Sequence, residues 1–152
     1  MNFKSTDEIL DFAIKKEQEA ADFYADLASK ATQKYMTSVF EQFSREELGH
    51  RAKLEGIKNG KKLVAAEKKI IDLKIGDFLV PVDTEDAADL TYQQALVVAM
   101  KREKESFRLY NDLANATDDG NVKTLFLSLA QEEAKHKLRF EVEYDEQILK
   151  EN

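Results

Sequence analysis

Both histidines of the chain, His50 and His136, close the same five-residue pattern, Glu46-Glu47-Leu48-Gly49-His50 and Glu132-Glu133-Ala134-Lys135-His136. On a helix, positions i and i+3 share a face and lie ~4.5 Å apart along the axis. Glu47 with His50, and Glu133 with His136, can therefore hold one metal ion each from the same side. A glutamate also stands 33 positions before each histidine, Glu17 and Glu103, so one constellation occurs twice at an offset of 86. Four carboxylates and two imidazoles in this arrangement suit a pair of divalent cations. Glu17 and His50 are assigned to one ion and Glu103 and His136 to the other, with Glu47 and Glu133 bridging. Each ion is then short of an octahedron, which leaves room for water, oxygen or peroxide. Mostly oxygen donors with a single imidazole suit iron, or manganese, better than zinc.

The same offset aligns residues that do no metal chemistry, among them Ala13 with Ala99, Lys15 with Lys101, Phe40 with Phe126 and Glu55 with Glu141. It also aligns Tyr24 with Tyr110, each seven positions after Glu17 or Glu103 and so on the same helical face. Core packing accounts for these tyrosines as well as a hydrogen bond to a ligand carboxylate does. Glu46 and Glu132 either face water or orient the histidine of the other repeat from outside the ligand shell. Glu19, Glu55, Glu105 and Glu141 are expected on the solvated face.

To position six ligands at one level, the chain needs long helices. Apolar residues at three- and four-residue spacing predict helices over 5–32, 33–58 and 91–116, and a fourth that carries Val122, Phe126, Leu129, Leu138, Phe140 and Ile148. Ser5 with Glu8, and Thr91 with Gln94, have the spacing of capping boxes. Asn59-Gly60 stops the second helix and residues 118–121 form the last turn. Two like hairpins, 5–59 and 91–150, cannot bury their apolar faces alone, so they pack together as an all-α four-helix bundle with approximate two-fold symmetry, one domain over 1–152. Residues 60–90 form a crossover long enough to run from end to end of the bundle, or to exchange hairpins between the chains of a homodimer. The inward register at ligand level contains no Lys or Arg. Four buried carboxylates without counter-charge are costly, and two divalent cations remove that cost.

Composition narrows the partners. The net charge of −7 disfavours nucleic acid, whose phosphates need a basic surface. There is no cysteine, which excludes disulfides, thiolate zinc and iron–sulfur or rubredoxin-type centres within the chain. The longest apolar run, residues 95–100, is too short to cross a membrane, and the first residues lack a signal-peptide core. The expected location is cytoplasmic.

Glu17 with Tyr24, Glu103 with Tyr110 and the doubled Glu-Glu-x-x-His resemble the ferritin-like di-iron superfamily, most closely stand-alone rubrerythrin-like (erythrin) domains. The resemblance implies a ferritin-like bundle with a long crossover between its second and third helices, two iron ions, and reaction with peroxide or oxygen. Two departures are visible. Ser106 stands where rubrerythrins carry a further glutamate, and the four-cysteine rubredoxin domain is absent, so electrons would come from an external donor such as a rubredoxin. A dimanganese catalase-like enzyme, a non-enzymatic iron-binding or storage protein, and a helical interaction module with structural metals are the competing readings.

Overall fold

The computed structural model describes residues 3–60 and 91–147. Residues 61–90 of the expected crossover, and Ile148 at the end of the fourth helix, lie outside them. Four helices make up the described part: α1 (Thr6–Lys30), α2 (Lys34–Lys58), α3 (Tyr92–Ala116) and α4 (Gly120–Gln147). At 25 to 28 residues each, they run ~37–42 Å.

Local chemistry sets their ends. Thr91 and Gln94 form the reciprocal capping box, with Gln94 N–H donating to Thr91 Oγ1 at 3.1 Å and Thr91 N–H to Gln94 Oε1 at 3.0 Å. The Ser5 box is only half made. Ser5 Oγ accepts from Glu8 N–H at 3.2 Å, but the Glu8 carboxylate takes the N–H of Lys4 instead of that of Ser5. Gly60, at φ 87°, follows the Asn59 cap in the left-handed region where glycine is unstrained. The turn expected over 118–121 is shorter than that, because Asp119 Oδ1 accepts from the N–H groups of Asn121 and Val122 and draws Gly120 into the first turn of α4.

Helix α1 packs along α2 and α3 along α4, and the hairpins meet mainly through α2 and α4. Phe43 and Phe140 stack across that joint at 4.1 Å between ring centroids. Two apolar clusters fill the interior. One gathers Tyr24, Leu27, Phe40, Phe43, Leu96, Met100 and Phe140, and the other Leu10, Leu54, Tyr110, Leu113, Phe126 and Leu129. The acidic residues of the repeat lie between them, walled by apolar side chains on both sides. Residues 95–100 are buried all round the helix. No helix among the described residues is long and apolar enough to cross a membrane.

One expectation is corrected. Glu141 is not on a solvated face: it is 0% exposed, and Lys137 Nζ lies 3.1 Å from its Oε2 at 2% exposure. The corresponding pair in the first hairpin, Arg51 and Glu55, has side chains 40% and 43% exposed. The outer face of α4 at this level is covered where that of α2 is not, and periodicity within one helix cannot register the difference. The two pairs should therefore respond differently to substitution. Lys137→Met removes a buried ion pair and is expected to cost more than Arg51→Met, which should cost under about 1 kcal/mol. Urea midpoints measure both, and equal losses would contradict the asymmetry.

Candidate metal centre

One turn of each helix supplies the centre. α1 contributes Glu17, α2 Glu47 and His50, α3 Glu103, and α4 Glu133 and His136, all 5% exposed or less. Spacing on α2 and α4 aims each Glu-x-x-His pair inward, and the packing of apolar residues above and below fixes the level at which the helices meet.

The six side chains come together as two overlapping quartets: Glu17, Glu47, His50 and Glu133; and Glu47, Glu103, Glu133 and His136. Glu47, His50 and His136 are also close enough to form a trio. Within each quartet one ligand-type atom per residue lies within 4.8 Å of the others, a spread that suits atoms facing a common ion. Glu47 and Glu133 belong to both. His50 Nδ1 lies 2.7 Å from Glu133 Oε1 and 3.5 Å from both Glu17 Oε1 and Glu47 Oε1. His136 Nδ1 lies 3.1 Å from Glu47 Oε1 and 3.5 Å from Glu103 Oε1. The two imidazoles stand nearly parallel, 5.4 Å apart.

These contacts are close without being hydrogen bonds. Among the described residues, Glu17 Oε2, Glu47 Oε1, His50 Nδ1, Glu103 Oε2, both oxygens of Glu133, His136 Nδ1 and, outside the quartets, Glu46 Oε2 are buried with no hydrogen-bond partner. Every residue of the two quartets thus holds at least one orphaned polar atom. Native interiors leave few such atoms, since each costs about 1–3 kcal/mol. Convergent orphans of this kind fit a pair of cations that would complete them.

Around this shell, tyrosines reach across the pseudo-symmetry. Tyr24 on α1 donates to Glu103 Oε1 at 2.7 Å, and Tyr110 on α3 donates to Glu17 Oε1. Each holds one lone pair of the other hairpin's carboxylate, so the alternative of packing alone does not describe them. Glu46 and Glu132, alike in sequence, part company here. Glu46 Oε2 sits 2.9 Å from His136 Nε2, and the contact holds the Glu46 carboxyl below the usual range. Glu132 is partly exposed, and the contacts of His50 run through Nδ1 to Glu17, Glu47 and Glu133 instead.

Electrostatics of the protein alone reflect four carboxylates in one apolar layer. Burial, then repulsion from Glu103 and Glu17, pushes the Glu47 carboxyl well above its ordinary range. Burial followed by Glu103, Glu47 and Glu17 does the same to Glu133. Burial works against a charged His136, but Glu103, Glu46 and Glu47 outweigh it and raise the imidazole well above its usual value. Burial likewise works to raise Glu103, yet its contacts with Glu133, His136 and Tyr24 hold it below the usual range. Protons thus supply the counter-charge that divalent cations would otherwise bring.

A cleft of about 380 Å³ between α1 and α3 is lined by Lys16, Ala20, Tyr24, Arg102, Glu103 and Ser106, among others. Ala20 and Ser106 line this cleft and are only partly buried. Lys16 and Arg102 were not singled out from sequence, although they too are 86 positions apart; that pairing was the available signal.

A bundle of long helices with one carboxylate from each of two and Glu-x-x-His from each of the others is a ferritin-like architecture. The chain belongs to the rubrerythrin family, whose model matches residues 8–144. Membership of that family implies a ferritin-like di-iron protein, and the Glu/His cluster is one that could bind metal. The chain is also similar in structure to an uncharacterized conserved protein from Magnetospirillum magnetotacticum MS-1, with a TM-score of 0.68, 23% identity, and 93% of this chain and 95% of that one covered. That likeness is one of fold. A hypothetical protein from Pyrococcus furiosus is similar with a TM-score of 0.64 and 27% identity, over 93% and 89% of the two chains. No curated protein matches.

Proposed function

We propose that the chain is a di-iron oxidoreductase of the rubrerythrin type that reduces peroxide or oxygen with electrons from an external donor. The observation that carries this reading is the sharing of Glu47 and Glu133 between two quartets, with Glu103 of the second quartet also among the residues that line a surface cleft. Glu17 and His50 would hold one iron and Glu103 and His136 the other, with Glu47 and Glu133 between them. Bound iron would supply the electrons that split an O–O bond and the open positions at which a small oxidant docks.

The protein's own residues do the rest. Tyr24 and Tyr110 fix the orientation of Glu103 and Glu17, leaving the other oxygen of each carboxylate free to ligate. Glu46 steadies the His136 ring from outside, as partners of ligating imidazoles do. Phe43, edge-on to His136 at 4.8 Å, and the apolar clusters on either side keep bulk water from the layer. The cleft that Glu103 and Tyr24 help to line would be the approach for a small oxidant. With no cysteine among these residues to build a thiolate-held iron centre, the donor in this reading is an external one.

Ferrous-loaded protein mixed with hydrogen peroxide and reduced rubredoxin tests the reading. The expected result is peroxide loss coupled to donor oxidation, two electrons for each peroxide. Evolution of oxygen without a donor would point instead to catalase-type chemistry. Iron uptake into a many-subunit cage without peroxide turnover would point to storage.

A further inference from the structure

At one end of the bundle, three residues that the metal centre does not use converge. Tyr35 in the first turn of α2 and Tyr92 at the start of α3 both donate their phenolic O–H to one oxygen of Glu143 on α4, Tyr92 at 2.8 Å. Tyr35 is 47% exposed, whereas Tyr92 is partly buried against the core. From this pair a series of ring contacts leads inward. Ring centroids are 5.9 Å apart for Tyr35 and Tyr92, 6.2 Å for Tyr92 and Phe40, and 6.3 Å for Phe40 and Tyr24, the last two rings nearly parallel at 9°. Tyr24 donates directly to Glu103. Aromatic contact is thus continuous from an exposed phenol to a carboxylate of the acidic layer.

The fold does not require this. In the pseudo-symmetric hairpin arrangement, the positions matching Tyr35, Tyr92 and Glu143 at the 86-residue offset are Asn121, Thr6 and Ile57. There Tyr110 stacks on Phe126 at 5.9 Å, and the equivalents of the outer tyrosines are absent. Only one of the two halves extends its aromatic series to the surface, and only that half ends on a carboxylate.

A phenol that loses an electron becomes a strong acid, so it is oxidised readily only where a hydrogen-bonded base takes its proton. Glu143 is such a base for both rings. Burial and the hydrogen bond to Glu143 raise both phenols above their ordinary value, so the resting form is the neutral, reduced one.

We propose that Tyr35 and Tyr92, with Glu143 as proton acceptor, form a redox site through which a single oxidising equivalent leaves the acidic layer for the protein surface. The proposal rests on the peroxide-reactive reading given above. Peroxide takes two electrons, so a centre holding a single ferrous ion would supply one of them, and the second would pass inward from a Tyr92 or Tyr35 phenol by way of Phe40 and Tyr24. The phenolic O–H breaks, its proton moves to Glu143, and a neutral tyrosyl remains. A one-electron reductant of the ascorbate or thiol class, reaching exposed Tyr35, returns the electron while Glu143 returns the proton. The balance is one electron from the reductant to the centre, with the protein unchanged.

Two arms of one experiment test it on the full chain. In the first, metal-free protein is oxidised by photogenerated tris(bipyridyl)ruthenium(III) and freeze-trapped for electron paramagnetic resonance. A tyrosyl signal is expected, and the Y35F/Y92F double variant, which keeps both rings, should lose most of it while its circular dichroism is unchanged. An undiminished signal in that variant overturns the proposal. In the second arm, protein loaded with one ferrous ion per chain, which can give peroxide only one of the two electrons it takes, is mixed with hydrogen peroxide. The same signal should appear, should vanish in Y35F/Y92F, and should weaken in Phe40→Leu, which interrupts the ring series away from the acidic layer. Peroxide consumed with no such signal overturns the route. No reaction with peroxide at all overturns the functional reading instead, and the light-driven arm still decides whether the pair is a redox site.

Discussion

Glu133→Gln is expected to abolish binding of both metal ions and, in the same molecule, to make the metal-free chain more stable. Glu133 is 0% exposed, stands in both quartets, and has neither oxygen satisfied. Its carboxyl is pushed up by burial and by repulsion from Glu103, Glu47 and Glu17. Near pH 7 the folded protein must either bury that charge or take up a proton that the unfolded chain releases, and each pH unit above the ordinary carboxyl value costs about 1.4 kcal/mol. A neutral amide of the same shape escapes the penalty. We expect a gain at pH 7 that shrinks toward zero below about pH 4, where the unfolded glutamate is itself largely protonated. Thermal unfolding of the metal-free variant beside the parent at both pH values measures it. A variant less stable than the parent at pH 7 would show that Glu133 serves the fold and not the ions. Glu17 belongs to one quartet only, so Glu17→Gln is expected to lose one ion and keep the other.

The second large effect is a reversal of pH dependence on metal loading. In the metal-free chain, Glu47 and Glu133 are raised above the ordinary carboxyl value of 4.5 and His136 above 6.5. All three bind protons more tightly folded than unfolded. Their contribution is fully present below those ordinary values and is lost as pH rises through the raised ones. Glu103 and Glu46 are lowered, so their contribution is present above 4.5 and is lost only as the pH falls through their lowered values. Stability of the metal-free protein should therefore fall from about pH 5 toward pH 8, by about 1.4 kcal/mol per pH unit for each proton involved. Metal needs the deprotonated ligands and releases those protons on binding, so its stabilisation grows over the same interval. At a free-metal concentration a hundred times the dissociation constant, each site adds about 2.7 kcal/mol. Melting temperatures with and without metal should diverge as pH rises. A metal-induced shift that stays constant across the interval would mean that the ions bind elsewhere.

Much of the centre was legible because its information is local. A helix places i and i+3 on one face whatever surrounds it, so Glu47 with His50 and Glu133 with His136 needed only the helix. The 86-residue offset then aligned Glu17 with Glu103, and Tyr24 with Tyr110. What stayed hidden depends on spacing between helices or on distant partners. Glu46 and Glu132 are equivalent along the chain, yet only Glu46 reaches an imidazole, because that contact is made across from α2 to α4. Glu141 matches Glu55, but the faces that carry them differ in cover, which no single-helix pattern encodes. Ala20 and Ser106, three residues after Glu17 and Glu103, look like ordinary inward positions, yet both line a cleft between helices. Tyr35 and Tyr92 lie 108 and 51 residues from Glu143, and nothing at either end signals the other. Even the Ser5 capping box, correct in spacing, is undercut by a competing N–H at Lys4.

Metal counting tests the account most directly. The full chain is titrated anaerobically with ferrous iron, freed of unbound metal, and assayed for iron per chain, beside His50→Ala and His136→Ala. The prediction is about two ions in the parent and about one fewer in each variant, with a spectral change on adding peroxide only where the pair is complete. A parent that holds fewer than two ions, or histidine variants that hold as many as the parent, would contradict it.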